Sequence, residues 1–238
     1  MKILVVGGGG REHAIVWKIA QSPKVDKIYC APGNGGIAEL AECVDIAATD
    51  IENMVKFAKD NAIDLVMVAP DDPLVLGMVD AMEKEGIRAF GPRANAAIIE
   101  GSKAFSKELM KKYNIPTANY EVFTDSTSAI DYIKAQNTFP TVIKADGLAL
   151  GKGVIIAKNL EEAEQAVHEM IDDGKFGKSG SRVVIEEFLT GPEVSVLAFT
   201  DGKTVKPMVS AQDHKRAYDN DEGLNTGGMG TFSPSRLY

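Results

Sequence analysis

Lys103, Lys144 and Lys152 are each set beside small residues, in GSKAFSK (101–107) and VIKADGLALGKGV (142–154). That pairing suits a phosphate: ammonium groups supply charge, and bare glycine N–H groups supply hydrogen bonds. Lys144 ends a strand-like run. Gly147, Gly151, Lys152 and Gly153 fill the loop that follows, before VIIA returns to a strand pattern. The loop is not a Walker phosphate loop, because Asp146 stands five before Gly151 and Gly153 follows Lys152. What remains is a glycine-rich hairpin loop able to fold over phosphates. A mobile exposed loop is the plain alternative.

A second glycine run, GGGGREHA (7–14), follows a strand pattern and opens a helix. Backbone N–H groups at a helix start favour anions. The dinucleotide pattern G-x-G-x-x-G fails there. Counted from Gly7 its third glycine falls on Glu12, and counted from Gly8 on His13. Ile28-Tyr29-Cys30 also occupies the place of the acidic residue such a site needs. A nicotinamide cofactor is disfavoured. Two readings stay open, a tight strand–helix turn and a loop edging an anionic substrate, with Arg11 and His13 able to add charge. His13 is equally well a surface helix residue.

VVIEEFLTGPEVS (183–195) adds an acidic strand, a turn and Glu193. Backbone groups of an extended linker can read an adenine, and a carboxylate can take ribose hydroxyls. Together with Lys103, Lys107 and Lys144 this outlines a nucleotide site, although single surface lysines and acids are usually just solvated.

The elements that must hold these groups fall into two patterns. Through residue 91, strand signals (KILVV, KIYCA, LVMVA, IRAFG) alternate with helices expected at 11–20, from Asp50 to 60, and at 73–85. That order predicts a doubly wound parallel α/β domain. From Ser102, a helix cap, the pattern becomes α+β with antiparallel strands: helices at 102–113, 126–136 and from Asn159 to about 172, and strands at 119–123, 182–189, 193–200 and 204–211. Asp201-Gly202 marks a hairpin. The expected division is 1–101 and 102–238, with a lid subdomain at about 120–190. QDHKR and NTGGMG read as loops from residue types alone.

The 238 residues carry a net charge of −8, which argues against general nucleic-acid binding. Cys30 and Cys43 lack metal-ligand spacing and read as reduced thiols. The first apolar run is too short for a signal peptide or a membrane span, so a cytoplasmic protein without membrane partners is expected.

In order along the whole chain, GGGGREHA, APGNGG, GSKAFSK, IPTA, VIKADGLALGKGV, VVIEEFLTG, EVSVLAFTDG, SAQDHKRAYDNDEG and NTGGMG resemble segments of the ATP-grasp superfamily, and within it the glycinamide ribonucleotide synthetase family. The resemblance implies that ATP phosphorylates the glycine carboxylate and that 5-phosphoribosylamine attacks the acyl phosphate. It implies that Lys103 and Lys144 hold ATP phosphates under a lid of Gly147, Gly151, Lys152 and Gly153. Glu186, Phe188 and Leu189 would form the adenine hinge, and Glu193 would take the ribose. Gly9, Gly10, Arg11, Glu12, Asn34, Gly35 and Asp71 would line the amine-substrate side. Asp213, His214, Lys215 and Arg216, then Asn225, Thr226, Gly227, Gly228, Met229 and Gly230, would form the acceptor and transfer site.

Two departures stand out. Asp71 replaces a glutamate usual in the family, shortening the arm by a methylene, and Leu224 stands where proline is common. The resemblance further implies that Mg2+ ligands lie beyond Tyr238, so that this chain is an N-terminal portion, inactive alone. Its unfinished ATP-grasp sheet would favour self-association.

Overall fold

The computed structural model describes residues 1–148 and 153–237. They form two compact units, Met1–Glu187 and Phe188–Tyr238. The first unit opens with β1 (Lys2–Gly7), α1 (Gly10–Ile19), β2 (Lys27–Pro32), β3 (Glu42–Cys43), α2 (Ile51–Asp60), β4 (Leu65–Val68), α3 (Asp71–Val75), α4 (Met78–Lys84), β5 (Ala89–Phe90) and α5 (Ala94–Gly101). The five strands make one parallel sheet in the order β3-β2-β1-β4-β5.

Side chains alternate across the pleat. Leu4 and Val6 therefore pack with Met54, Met78 and Met82, while Ile3 and Val5 pack with Val16, Ile28 and Ile37. Both faces are covered, which is why KILVV shows no polar alternation. The chain leaves β1 toward β2 and later returns to β4 on the other side. The ends of β1 and β4 are thus a topological switch point, where open α/β sheets take ligands.

The helix expected at 73–85 is two helices. Gly77 adopts φ 89°, a left-handed conformation that stops a right-handed helix between Val75 and Met78. The first of them starts earlier, at Asp71, after extended Pro70.

Next come α6 (Lys103–Lys112), β6 (Tyr120–Phe123), α7 (Ser126–Gln136), β7 (Thr141–Ala145), β8 (Val154–Ala157), α8 (Leu160–Ile171) and β9 (Val183–Glu187). The strands form an antiparallel sheet ordered β6-β9-β7-β8. Ser102, Asp125 and Asn159 cap α6, α7 and α8, each accepting a backbone N–H with its side chain; replacing such a cap by alanine typically costs about 1 kcal/mol. Ile130, Ile133, Val167 and Met170 of the two later helices pack on Ile143, Val183 and Ile185. The strand period of two then sends Lys144 and Glu186 to the opposite sheet face.

In the second unit β10 (Ala198–Thr200) and β11 (Val205–Pro207) pair antiparallel across Asp201-Gly202. Asp201 Oδ1 accepts the Lys203 and Thr204 N–H groups, and Gly202 has φ 86°. The strands expected at 193–200 and 204–211 are shorter than their apolar patterns suggest; beyond the hairpin the segments are joined by a Ser195–Ala211 bridge and by the Met208 N–H donating to the Leu197 carbonyl at 2.7 Å. Conversely, QDHKR and NTGGMG are not loops. They lie in β12 (Gln212–Tyr218) and β13 (Glu222–Phe232), an irregular antiparallel pair. Glycine and asparagine are depleted in strands, so residue type hid this pairing. No helix among the described residues is long and apolar enough to cross a membrane.

Candidate functional site

The loops after β1 and β2 are tied together. Asn34 Nδ2 donates to the Gly8 carbonyl at 2.9 Å, and the Gly33 N–H to the Gly7 carbonyl at 3.0 Å. A Cβ on Gly8 would stand 2.5 Å from the Gly33 carbonyl oxygen, so this approach requires glycine. Gly9, Gly10 and Arg11 are exposed at the start of α1, and Gly35 is exposed after β2. Glu12 is only 4% exposed. Its Oε2 accepts the Gly9 N–H at 2.6 Å, while Oε1 has no hydrogen-bond partner among the described residues. Half-buried Asp71 opens α3 just past the end of β4, across the switch point from these loops.

A second cluster surrounds the end of β7. Lys103 Nζ donates to the Gly147 carbonyl at 2.9 Å, which docks that lysine on the stem of the glycine-rich loop. Burial pushes the Lys103 ammonium below its ordinary range, against the opposing pull of Asp146. Gly147 permits close packing, since a Cβ there would meet Ser179 Oγ at 2.4 Å. Buried Gly153 accepts the Ala145 N–H at 2.8 Å. Gly151 and Lys152 lie outside the described residues.

Beneath this stem Asp146 accepts from the Ala104 N–H at 2.7 Å, Ser102 Oγ at 3.0 Å and Arg182 Nε at 2.9 Å. On the other face of the sheet, which α6 approaches, Lys144 Nζ donates to Glu186 Oε2 at 3.0 Å. Lys107 Nζ, from α6, stands 3.0 Å from the same oxygen. The Lys144 side chain is 27% exposed and the Glu186 side chain 6%. Glu186 Oε1 is buried with no partner among the described residues. A buried acceptor left open costs free energy unless something fills it, so it marks a place for a donor.

Within the second unit Phe188 is half-buried and Leu189 exposed. Glu193 pairs with Lys215, whose ammonium also lies 3.7 Å from Asp213. The Glu193 hydrogen bond holds the Lys215 ammonium above its usual value, with Asp213 contributing charge. The His214 ring stacks at a tilt on Phe232, 5.7 Å between centroids. Arg216 Nη1 donates to the Gly223 carbonyl at 2.7 Å, and Thr226 Oγ1 to the Lys215 carbonyl at 2.9 Å. Pairing sets Asp213 against Thr231, His214 against Gly230 and Arg216 against Asn225. Gly227 lies in the same strand, Gly228 donates its N–H to Thr226 Oγ1 at 3.1 Å, and Met229 is exposed. The segments the resemblance joined as acceptor residues are thus one β-ribbon.

The family model described as phosphoribosylglycinamide synthetase, N domain, matches residues 1–100, and that described as phosphoribosylglycinamide synthetase, ATP-grasp (A) domain, matches 101–238. The chain belongs to the phosphoribosylglycinamide synthetase family. It is 56% identical over 234 residues to a phosphoribosylamine–glycine ligase of Halalkalibacterium halodurans, covering 98% of this chain and 54% of that protein. It is 55% identical over 237 residues to the Haemophilus influenzae protein of the same name, covering 99% and 55%. The crystal structure of a Thermotoga maritima phosphoribosylamine–glycine ligase matches with a TM-score of 0.83 and 32% identity, over 99% of this chain and 56% of that one. The chain therefore spans about half the length of the curated relatives it matches.

For this synthetase-family chain, residue types pointed to Lys103 and Lys144 but not to what holds them. Asp146 lies within VIKADGLALGKGV but is given no role there by residue type, and Arg182 carries no motif. Lys107 stands four residues after Lys103, one helical turn on, a spacing legible as a shared helix face. Its burial and its convergence with Lys144 on Glu186 required the tertiary structure. Among the described residues no three His, Cys, Asp or Glu side chains gather as a metal site.

Proposed function

We propose that this chain serves an ATP-dependent ligation of glycine to 5-phosphoribosylamine, giving glycinamide ribonucleotide, ADP and phosphate in cytoplasmic de novo purine synthesis. The observation that carries the reading is that Lys103 of α6 docks on the stem of a glycine-rich loop while Lys144, on the strand that feeds this loop, reaches Glu186 beside its open acceptor.

In the first step a glycine carboxylate oxygen attacks the γ-phosphorus. The bond to the bridging oxygen breaks, and ADP leaves with its electrons. In the second, the amine nitrogen attacks the glycyl carbonyl carbon, phosphate departs and the nitrogen loses a proton. Phosphoryl transfer of this kind needs positioned positive charge more than a protein nucleophile. Lys103 and Lys144 supply that charge, and Gly147, packed against Ser179, holds the loop stem on which Lys103 docks. Glu186 Oε1 offers an acceptor suited to the exocyclic amine of adenine. The β1 and β2 loops, with Asp71 across the switch point, present the amine-substrate crevice. Magnesium bound with ATP would neutralise phosphate charge, although the described residues offer no ligand set for it.

The test is ADP release with ATP, magnesium, glycine and freshly made phosphoribosylamine, omitting each in turn, by this chain and by a chain extended to the length of its relatives. Release by the extended chain that requires both glycine and amine supports the ligase. Release indifferent to either removes it.

A further inference from the structure

Lys107 is read in the sequence only as one of several lysines near a nucleotide, yet it is among the most enclosed charges of the described residues, with a side chain 8% exposed. Its ammonium donates to Thr117 Oγ1 at 2.7 Å and to the Ala118 carbonyl at 3.4 Å, stands 3.0 Å from Glu186 Oε2, and lies 5.5 Å from the Tyr120 ring centroid. It is thus fixed by its surroundings and faces no open space. Lys144, which shares the same carboxylate oxygen at 3.0 Å, is the member of the trio that reaches toward solvent.

Two lysines on one carboxylate leave one net positive charge, and the geometry decides where it resides. Glu186 sits on β9 opposite Val142, so Lys144 is its diagonal neighbour on β7. Lys107 approaches the same oxygen from α6. If Lys144 turns toward a phosphate, Glu186 keeps Lys107 as counter-ion. Without Lys107, that turn would leave a buried carboxylate uncompensated, which is strongly unfavourable. It would also leave an unneutralised negative charge beside the incoming polyphosphate.

We propose that Lys107 is a positioning residue that acts through Glu186: by holding that carboxylate neutralised, it frees the Lys144 charge for the phosphates of a bound nucleotide. The inference rests on the reading of this cluster as a nucleotide site.

The experiment is a double-mutant cycle on this chain, reading ATP affinity by displacement of a fluorescent ATP analogue and folding by thermal unfolding. The proteins are wild type, Lys107→Met, Glu186→Gln and the double variant. Lys107→Met should weaken ATP binding about tenfold in the Glu186 background and less than about twofold in the Glu186→Gln background, where no buried negative charge needs a partner. An equal loss in both backgrounds would make Lys107 a packing residue and overturn the proposal, as would no loss in either. Folding reported by the unfolding curves separates lost binding from lost structure. Should Lys107→Met unfold, Lys107→Gln takes its place in the same cycle. No ATP binding by the wild-type chain overturns the nucleotide-site reading itself and this inference with it. That outcome is distinct, because it is seen before any variant is compared.

Discussion

Asp146 at the end of β7 accepts the Ala104 backbone N–H at 2.7 Å, so the sheet caps the helix that carries Lys103 and Lys107. Ser102 Oγ meets the same carboxylate at 3.0 Å while accepting the Phe105 N–H at 3.1 Å. Arg182 Nε closes the group at 2.9 Å. One carboxylate therefore fixes α6, β7 and the approach to β9 in a single register. That is the geometry on which two candidate phosphate lysines depend.

Replacing Asp146 by alanine removes the cap and strands the guanidinium. The loss in unfolding free energy should be about 2–4 kcal/mol, between a lost cap and a broken buried ion pair, because Arg182 remains partly solvated. Asp146→Asn keeps an acceptor for Ala104 and should lose about half as much. Urea denaturation of the three proteins measures both values. Equal stability of all three would show that α6 needs no cap from the sheet.

Gly147 is close-packed rather than conformationally special. A Cβ there would meet Ser179 Oγ at 2.4 Å, Cβ at 2.8 Å and Cα at 3.1 Å. Gly147→Val should displace the loop stem that holds Lys103 and lower nucleotide affinity at least about tenfold, with much smaller effects on the first sheet. Gly147→Ala paired with Ser179→Gly should recover most of the affinity that Gly147→Ala alone loses. The Ser179 α-carbon stays close, so recovery should be incomplete. Titrations with an ATP analogue check this, and a double variant as weak as Gly147→Ala would place the fault elsewhere.

Lys144→Ala, made in a chain extended to the length of the relatives, should cost about 2–4 kcal/mol of transition-state stabilisation, comparable to losing one preorganised donor. The partition matters as much as the size. A phosphate-binding ammonium that strengthens its hold as charge moves should lower kcat more than it raises KM for ATP. Steady-state kinetics with varied ATP separates the two, and unchanged turnover would remove Lys144 from the site.

Much of the first sheet was legible in the sequence because its strands are continuous apolar runs between capped helices, as with KILVV and the Asp50 cap. The break at Gly77 was not, since a lone glycine inside an apolar helical pattern shows no sign of its φ. Lys103, Lys144 and the glycine loop were visible as residue types that suit phosphate. Glu186 was placed by the resemblance at the adenine hinge, but its carboxylate also binds two ammonium groups, a fact set by strand register and by α6. The ribbon of β12 and β13 was least legible. Its pairing is backbone to backbone, and sequences as polar and glycine-rich as QDHKR and NTGGMG carry no period-two signal.

The two thiols should differ sharply in reactivity. Burial pushes the Cys30 thiol up to about 12, and its Sγ lies 3.3 Å from the Gly7 carbonyl, whereas Cys43 is exposed. Thiolate is the reactive form, so at pH near 8 an aromatic disulfide reagent should label Cys43 alone in the native protein. Denaturation should release the second equivalent, and Cys43→Ser should leave the folded chain unlabelled. Rapid native labelling of Cys43→Ser would mean that the β1–β2 core opens readily.

Lys215 links the ribose candidate Glu193 to the ribbon. Its ammonium is held above the ordinary lysine value of 10.5 chiefly by the Glu193 hydrogen bond. A base whose folded pKa exceeds its unfolded one contributes its full stabilisation below the unfolded value and loses it as pH rises through the folded one. The stability gap between wild type and Lys215→Met should therefore be flat across neutral pH and close only above about 10.5. Both partners are substantially solvated, so the gap itself should stay below about 1 kcal/mol and shrink with added salt. Denaturation midpoints across alkaline pH read it directly. A gap that persists unchanged well past that range would assign the effect to packing of the lysine stem. The same pair bears on binding: a ribose that takes Glu193 must compete with Lys215. Lys215→Met should then raise nucleotide affinity if the competition dominates, and lower it if Lys215 holds Glu193 in place for the sugar.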